Sequence, residues 1–169
     1  STTHSIVGAV IGFAAVGVSV DAVHWAGVQP IVASWVISPV LSGFVAFGLF
    51  ISVQKLIIDT DQPFQNAKRF VPLYMFATGF MVAIMTLSKG LKHVGLNLSG
   101  GEGLLLSLGV GGVVMLLGII LLSRIKVDVE ADKDFHYASV EKVFAMLMIF
   151  TACSMAFAHG SNDVANAVG

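Results

Sequence analysis

Residues 158–169 read AHGSNDVANAVG, and the fold turns on how this stretch is understood. The apolar run 143–158 leads straight into Ser161, Asn162, Asp163 and Asn166, set among small residues. On a helix Asn162 and Asn166 share a face at i,i+4, with Asp163 beside them. One reading makes these residues the cap of a new helix at the membrane surface, because Ser, Asn and Asp are strong N-caps. Asp163 lies about 31 Å of ideal helix beyond Lys142, far enough to reach the opposite interface. The other reading is a helix broken inside the membrane, where an ionisable residue is costly and normally faces a partner or a water-filled path. A break exposes N–H groups and a positive dipole end that suit an anion. It also frees carbonyls that, with Asp and Asn oxygens, suit Na+, the pairing transporters use near the bilayer midplane. An oxyanion beside a carboxylate needs a cation or a proton to offset the repulsion, and that need is itself a coupling mechanism.

Working outward, composition sets the class. Of 169 residues, 56% are hydrophobic and 11% charged, and the mean hydropathy is +0.90. Soluble domains carry about 25% charged residues, so the chain reads as a multi-pass integral membrane protein with the lipid bilayer as a partner; the plasma (inner) membrane is the expected location, which composition itself does not specify. A net charge of −1 and the absence of a basic arm give no nucleic-acid footprint. A single cysteine, Cys153, excludes an intrachain disulfide framework and a cysteine-based zinc cluster. The chain opens without Met, and both ends read as cut within a longer protein.

A span needs about 20 apolar residues, and long uncharged runs favour helices over a barrel. Residues 30–53, 70–88, 103–123 and, more briefly, 143–158 are such runs. Residues 6–20 cover only about 22 Å and read as a half-helix. Lys55, Lys68 and Arg69 lie between the second and third segments, and Arg124, Lys126, Lys133 and Lys142 between the fourth and fifth. The positive-inside rule places both regions in the cytoplasm. The second, RIKVDVEADKDFHYASVEK at 124–142, is the most charged stretch and a natural linker between two halves. The glycines of LGVGGVVMLLG at 108–118 (Gly109, Gly111, Gly112, Gly118) and the Gly8-x-x-x-Gly12 step read as close-packing faces.

The chain opens with STTHSIVGAVIGF, residues 1–13. Ser1, Thr2 and Thr3 place three hydroxyls before a short apolar helix, which an ordinary N-cap would also explain. AHGSNDVANAVG resembles the signature of the inorganic phosphate transporter family, a G-[AS]-N-D-V-A-N-A motif present in each of two inverted repeats. STTH resembles the family's Ser-Thr-Thr-His segment. SWVISPVLSG (34–43) and VEKVFAMLMIFTACSMAFAHGSNDVANA (140–167) are similar to family blocks in family order. The resemblance covers nearly the whole chain. It implies an all-α, polytopic transmembrane helical bundle, part of an inverted-repeat secondary transporter with broken helices. Residues 1–123 would end the first repeat with its following helices, 124–137 form the cytoplasmic linker, and 138–169 begin the second repeat.

The function this implies is secondary active transport of inorganic phosphate, coupled to Na+ or H+ by alternating access. Phosphate would be bound by Ser1, Thr2, Thr3, Ser161 and Asn162, and the cation by Asp163, Asn162 and Asn166. Asp163 is the Na+ carboxylate if coupling is to sodium. No cofactor is expected beyond the coupling ion, no enzymatic activity, and a homo-oligomer is allowed. The alternatives are a sulfate permease of the same family or, in another class, an anion channel or membrane-embedded enzyme using Asp163 and His159. No G-x-x-x-x-G-K-[ST], H-E-x-x-H or nucleophile elbow occurs. His4 and His159 flank the two motifs and read as buried neutral histidines or as proton carriers. His24, His93 and His136 read as surface residues. Trp25 and Trp35 read as interface markers, and Ser38-Pro39 as a helix kink.

Overall fold

The computed structural model describes residues 2–89, 100–127, 132 and 137–168, and the described residues are helical with no strand. Among the described residues, the α-helices are, in order, α1 (Thr2–Gly17), α2 (Trp25–Val53), α3 (Pro63–Lys89), α4 (Gly100–Ser123) and α5 (Ala138–Val168). Four stretches of the described residues are long and apolar enough to cross a membrane: Trp25–Ile58, Pro63–Leu87, Gly100–Ser123 and Ala138–Val168. The described part of α1, at 16 residues, is about 24 Å long. The chain divides into two compact units, residues 1–52 with 159–169 and residues 53–158.

In the first unit, α1 ends at Gly17 and the chain turns through a short 3-10 segment, Val20–Ala22. Ser19 is extended there (φ −171°), and its hydroxyl accepts the Ala22 N–H at 3.2 Å. The Trp25 indole N–H donates to the Val20 carbonyl at 3.1 Å, so the first residue of α2 clamps the turn that precedes it. α2 contains Pro30 and Pro39. Proline has no N–H to donate to the carbonyl four residues back, which removes one rung at Trp35. The helix nevertheless continues, and neither α1 nor α2 has a buried residue. Such fully apolar, exposed faces suit lipid or further helices.

The second unit opens with a π-helical turn, Gln54–Ile58, closed by the Asp59 N–H on the Gln54 carbonyl at 2.8 Å. Pro63 then begins α3, where its missing N–H costs nothing. α3 and α4 approach closely because glycines line the contact. A Cβ at Gly111 would lie 2.9 Å from the Phe76 ring, one at Gly118 2.7 Å from Met75 Sδ, and one at Gly79 3.0 Å from Val114. Small residues permit this approach where no hydrophobic effect drives helices together in lipid. Of the six glycines expected to form close-packing faces, Gly111 and Gly118 do so, whereas Gly8, Gly12, Gly109 and Gly112 face open space.

The core gathers Ile57, Ala67, Val71, Met75, Leu122, Val140 and Val143. Two charged side chains secure helix ends nearby. The Lys68 ammonium donates to the Ile125 carbonyl at 2.7 Å and to the Ser123 carbonyl at 3.4 Å, meeting the negative C-terminal end of α4. The Asp132 carboxylate accepts from the Ser139 N–H at 2.8 Å and from its hydroxyl at 2.7 Å, capping the first turn of α5. Between α3, α4 and α5 lies a cavity of 480 Å³ whose walls include Gly79, Ala83, Val110, Phe150 and Cys153. Its Thr86 hydroxyl is turned back onto the Val82 carbonyl at 2.8 Å. With no charged group in its wall the cavity offers nothing to hold a phosphate, so the candidate site lies in the first unit.

Candidate functional site

The backbone of the AHGSNDVANAVG stretch corrects both sequence-based readings. α5 is one helix from Ala138 to Val168, so residues 160–163 neither break a helix nor cap a new one. Gly160 costs about 1 kcal/mol relative to alanine inside a helix, but no proline follows it and Ala165 and Ala167 favour continuation. In lipid each unpaired backbone group costs several kcal/mol, which outweighs that penalty. The N–H groups of residues 160–168 are taken up by the helix, which leaves the side chains of Ser161, Asn162, Asp163 and Asn166 to make contacts outside it.

Helical continuity puts Asn162 and Asn166 one turn apart on a common face, and Thr3 of α1 meets both. The Asn166 amide donates to Thr3 Oγ1 at 2.8 Å, and the Asn162 amide donates to the same oxygen at 3.4 Å, a longer and weaker bond. Thr3 and Asn166 are half-buried, while Thr2, Asn162, Ser161 and Asp163 are exposed. The two motifs, at opposite ends of the sequence, thus share one hydroxyl.

This arrangement sets the polarity of the remaining groups. A hydroxyl has two acceptor lone pairs and one donor proton. With both amides donating to Thr3 Oγ1, its remaining capacity is to donate its own proton. With their nitrogens turned to Thr3, Asn162 and Asn166 direct their carbonyl oxygens away from it. Asp163, next to Asn162 on the helix, adds a carboxylate that has no bonding partner among the described residues. The Thr3 hydroxyl of α1 is thus left as a donor while α5 presents acceptor oxygens, a pairing that suits an oxyanion beside a hard cation.

Of the sequence-predicted residues, Thr3, Asn162 and Asn166 are brought into contact. Thr2 adjoins Thr3 at the start of α1, Ser161 and Asp163 adjoin Asn162 on α5, and Ser1 lies outside the described residues. His4 is exposed rather than buried, and its ring meets Trp35 edge-on, with centroids 5.1 Å apart and planes at 70°. That contact was not legible in the sequence, where Trp35 reads as an interface marker. The only local hint is an aromatic residue one helical turn ahead of a proline. His159 is exposed; His93 and His136 lie outside the described residues.

Comparison with known proteins bears on this geometry. The profile of the phosphate transporter family matches residues 1–169. Several relatives are named as putative phosphate permeases. The one from Haemophilus influenzae is 47% identical over 172 residues, an alignment that takes in 100% of this chain and 40% of that protein. The one from Pyrococcus abyssi is 32% identical over 169 residues, again 100% of this chain and 40% of that protein. A solved structure, "The sodium-dependent phosphate transporter", superimposes with a TM-score of 0.84 at 34% identity, over 99% of this chain and 40% of that one. The chain thus spans 40% of the length of these relatives.

Proposed function

The chain belongs to the phosphate transporter family, and from that premise we propose that it forms part of a secondary transporter moving inorganic phosphate across a membrane with a coupling cation. The observation that supports this reading best is the convergence of Asn162 and Asn166 on Thr3. It joins the STTH and SNDVANA motifs through one oxygen.

The work of the site follows from its donors and acceptors. Phosphate takes the hydroxyl protons of Ser1, Thr2 and Thr3, and the Ser161 hydroxyl and Asn162 amide. The cation takes Asp163 and the amide oxygens of Asn162 and Asn166. Each ion lowers the electrostatic cost of the other, because phosphate alone would face the Asp163 carboxylate and the cation alone would enter without a counter-charge. Joint binding is symport, and the bound pair crosses by alternating access as two inverted repeats rock about a fixed midplane site. In this scheme residues 1–123 close the first repeat, 124–137 link the halves on the cytoplasmic side, and 138–169 open the second. Likeness to a sodium-dependent phosphate transporter favours Na+ as the coupling ion, with H+ as the alternative. The protein moves its substrate without changing it.

The test is labelled-phosphate uptake by proteoliposomes holding the full-length protein, first under a Na+ gradient and then under a pH gradient alone, each with and without excess sulfate. Uptake that needs Na+ and resists sulfate supports sodium–phosphate symport with Asp163 as cation ligand. Uptake driven by the pH gradient alone replaces sodium with the proton. Full suppression by sulfate moves the substrate to the other tetrahedral oxyanion, and no uptake under any gradient contradicts the reading.

A further inference from the structure

The start of α1 is held in place by few contacts. α1 has no fully buried residue, its Gly8 and Gly12 face open space, and its middle is only half-buried at Val7, Ile11, Ala14 and Ala15, so little interlocking resists rotation about its axis. At its far end the Ser19–Ala22 and Trp25–Val20 bonds secure the turn. At its first turn two contacts act on adjacent residues: Thr3 on Asn162 and Asn166 of α5, and His4 on Trp35 of α2. Successive helical residues are about 100° apart around the axis, so these contacts grip the first turn from two directions. A rotation that separated His4 from Trp35 would swing the Thr3 hydroxyl away from the asparagines.

We propose that Trp35, acting through His4, is a positioning residue that holds the Thr3 hydroxyl against Asn162 and Asn166 in the phosphate site. The contact is between ring edges and faces; it needs an aromatic ring at position 4, not an imidazole nitrogen. Its place on α2 also matters. Pro39 deprives the Trp35 carbonyl of its helical N–H, so the backbone that carries the ring lacks one rung and bends there more readily than an uninterrupted helix. Bending of α2 at that point would shift Trp35, and through His4 would loosen or tighten the Thr3 contact. A conformational change in α2 thereby reaches phosphate affinity without any residue of α2 touching phosphate.

This inference rests on the transport reading, and the experiment separates the two. Full-length protein in proteoliposomes is assayed for initial phosphate uptake as Trp35→Ala, Trp35→Phe, His4→Ala, His4→Phe and Thr3→Val, with Trp35→Ala also placed in the Thr3→Val background. Loss of an oriented hydrogen bond predicts that Trp35→Ala and His4→Ala raise the phosphate KM about five- to tenfold. The maximal rate should stay within about twofold, and phenylalanine at either position should restore the KM. In the Thr3→Val background, Trp35→Ala should add less than about twofold, because positions acting through one contact are not additive. Full multiplication of the two effects, an unchanged KM, or His4→Phe as damaging as His4→Ala would overturn the proposal. Should Trp35→Ala fail to fold by size-exclusion chromatography, the two His4 variants decide the matter. A wild-type protein without phosphate uptake would refute the transport reading instead, an outcome separate from wild-type uptake with unaltered variants.

Discussion

The two units hold together by different means. Residues 53–158 contain seven packed core residues, glycine-mediated contact between α3 and α4, and charged caps on α4 and α5. Residues 1–52 with 159–169 have no buried residue in α1 or α2, and at the start of α1 they rely on one hydroxyl, two amides and a pair of rings. Dense apolar packing is bistable at best and resists small adjustment, whereas a few hydrogen bonds of about 1 kcal/mol each can be exchanged for ligand bonds. The contrast separates packing from the proposed chemistry: on the transport reading the closely packed unit serves as scaffold and the sparsely held one as the ligand site.

Substitutions should respect that division. The largest effect is expected from Asp163→Asn in the full-length protein, which removes the carboxylate while keeping its shape. Cation-driven uptake should fall by on the order of a hundredfold or more with expression unchanged, and uptake of normal size with normal cation dependence would break the assignment. Thr3→Val should come next, raising the phosphate KM about tenfold for one lost oriented hydrogen bond while leaving the melting temperature in place. In the packed unit the expectation reverses. Gly111→Ala drives a methyl against the Phe76 ring and its backbone oxygen at 3.1 Å, so stability in lipid nanodiscs should drop by about 1–3 kcal/mol with KM unaltered. Gly118→Ala should be milder, below about 1 kcal/mol, because the Met75 thioether it meets is flexible and can move aside. A thermal shift from Thr3→Val as large as that from Gly111→Ala would erase the distinction between the units.

Much of this was readable from residue order alone. Runs of uncharged residues located the membrane helices, since length and hydropathy are local properties. The i,i+4 spacing of Asn162 and Asn166 placed them on one face, and the helix confirms it by setting both amides on Thr3. The expected break at residues 160–163 failed because Ser, Asn and Asp have capping chemistry wherever they occur. Whether they cap or continue depends on the cost of unpaired backbone in lipid, which a local pattern does not register. The π-helical turn at Gln54–Ile58, the Lys68 cap on α4 and the Asp132 cap on α5 had no legible signal, since each depends on register or on a partner set by tertiary packing. Lys68 was legible only as positive charge near a membrane end. The glycine cluster at 109–118 was legible as a packing face, but which glycines touch α3 follows from the rotation of α4, which its evenly apolar sequence leaves open.

The most direct test of the central claim, that the two motifs meet in one site, is cross-linking in the full-length protein. Thr3→Cys is combined with Asn166→Cys, and separately with Val164→Cys, in a cysteine-free background and treated with a short bifunctional methanethiosulfonate. The account predicts efficient linkage from position 3 to position 166, where the side chains meet, and far slower linkage to position 164, which lies about 200° away around α5. Absence of linkage to position 166, or equal linkage to both positions, would contradict it.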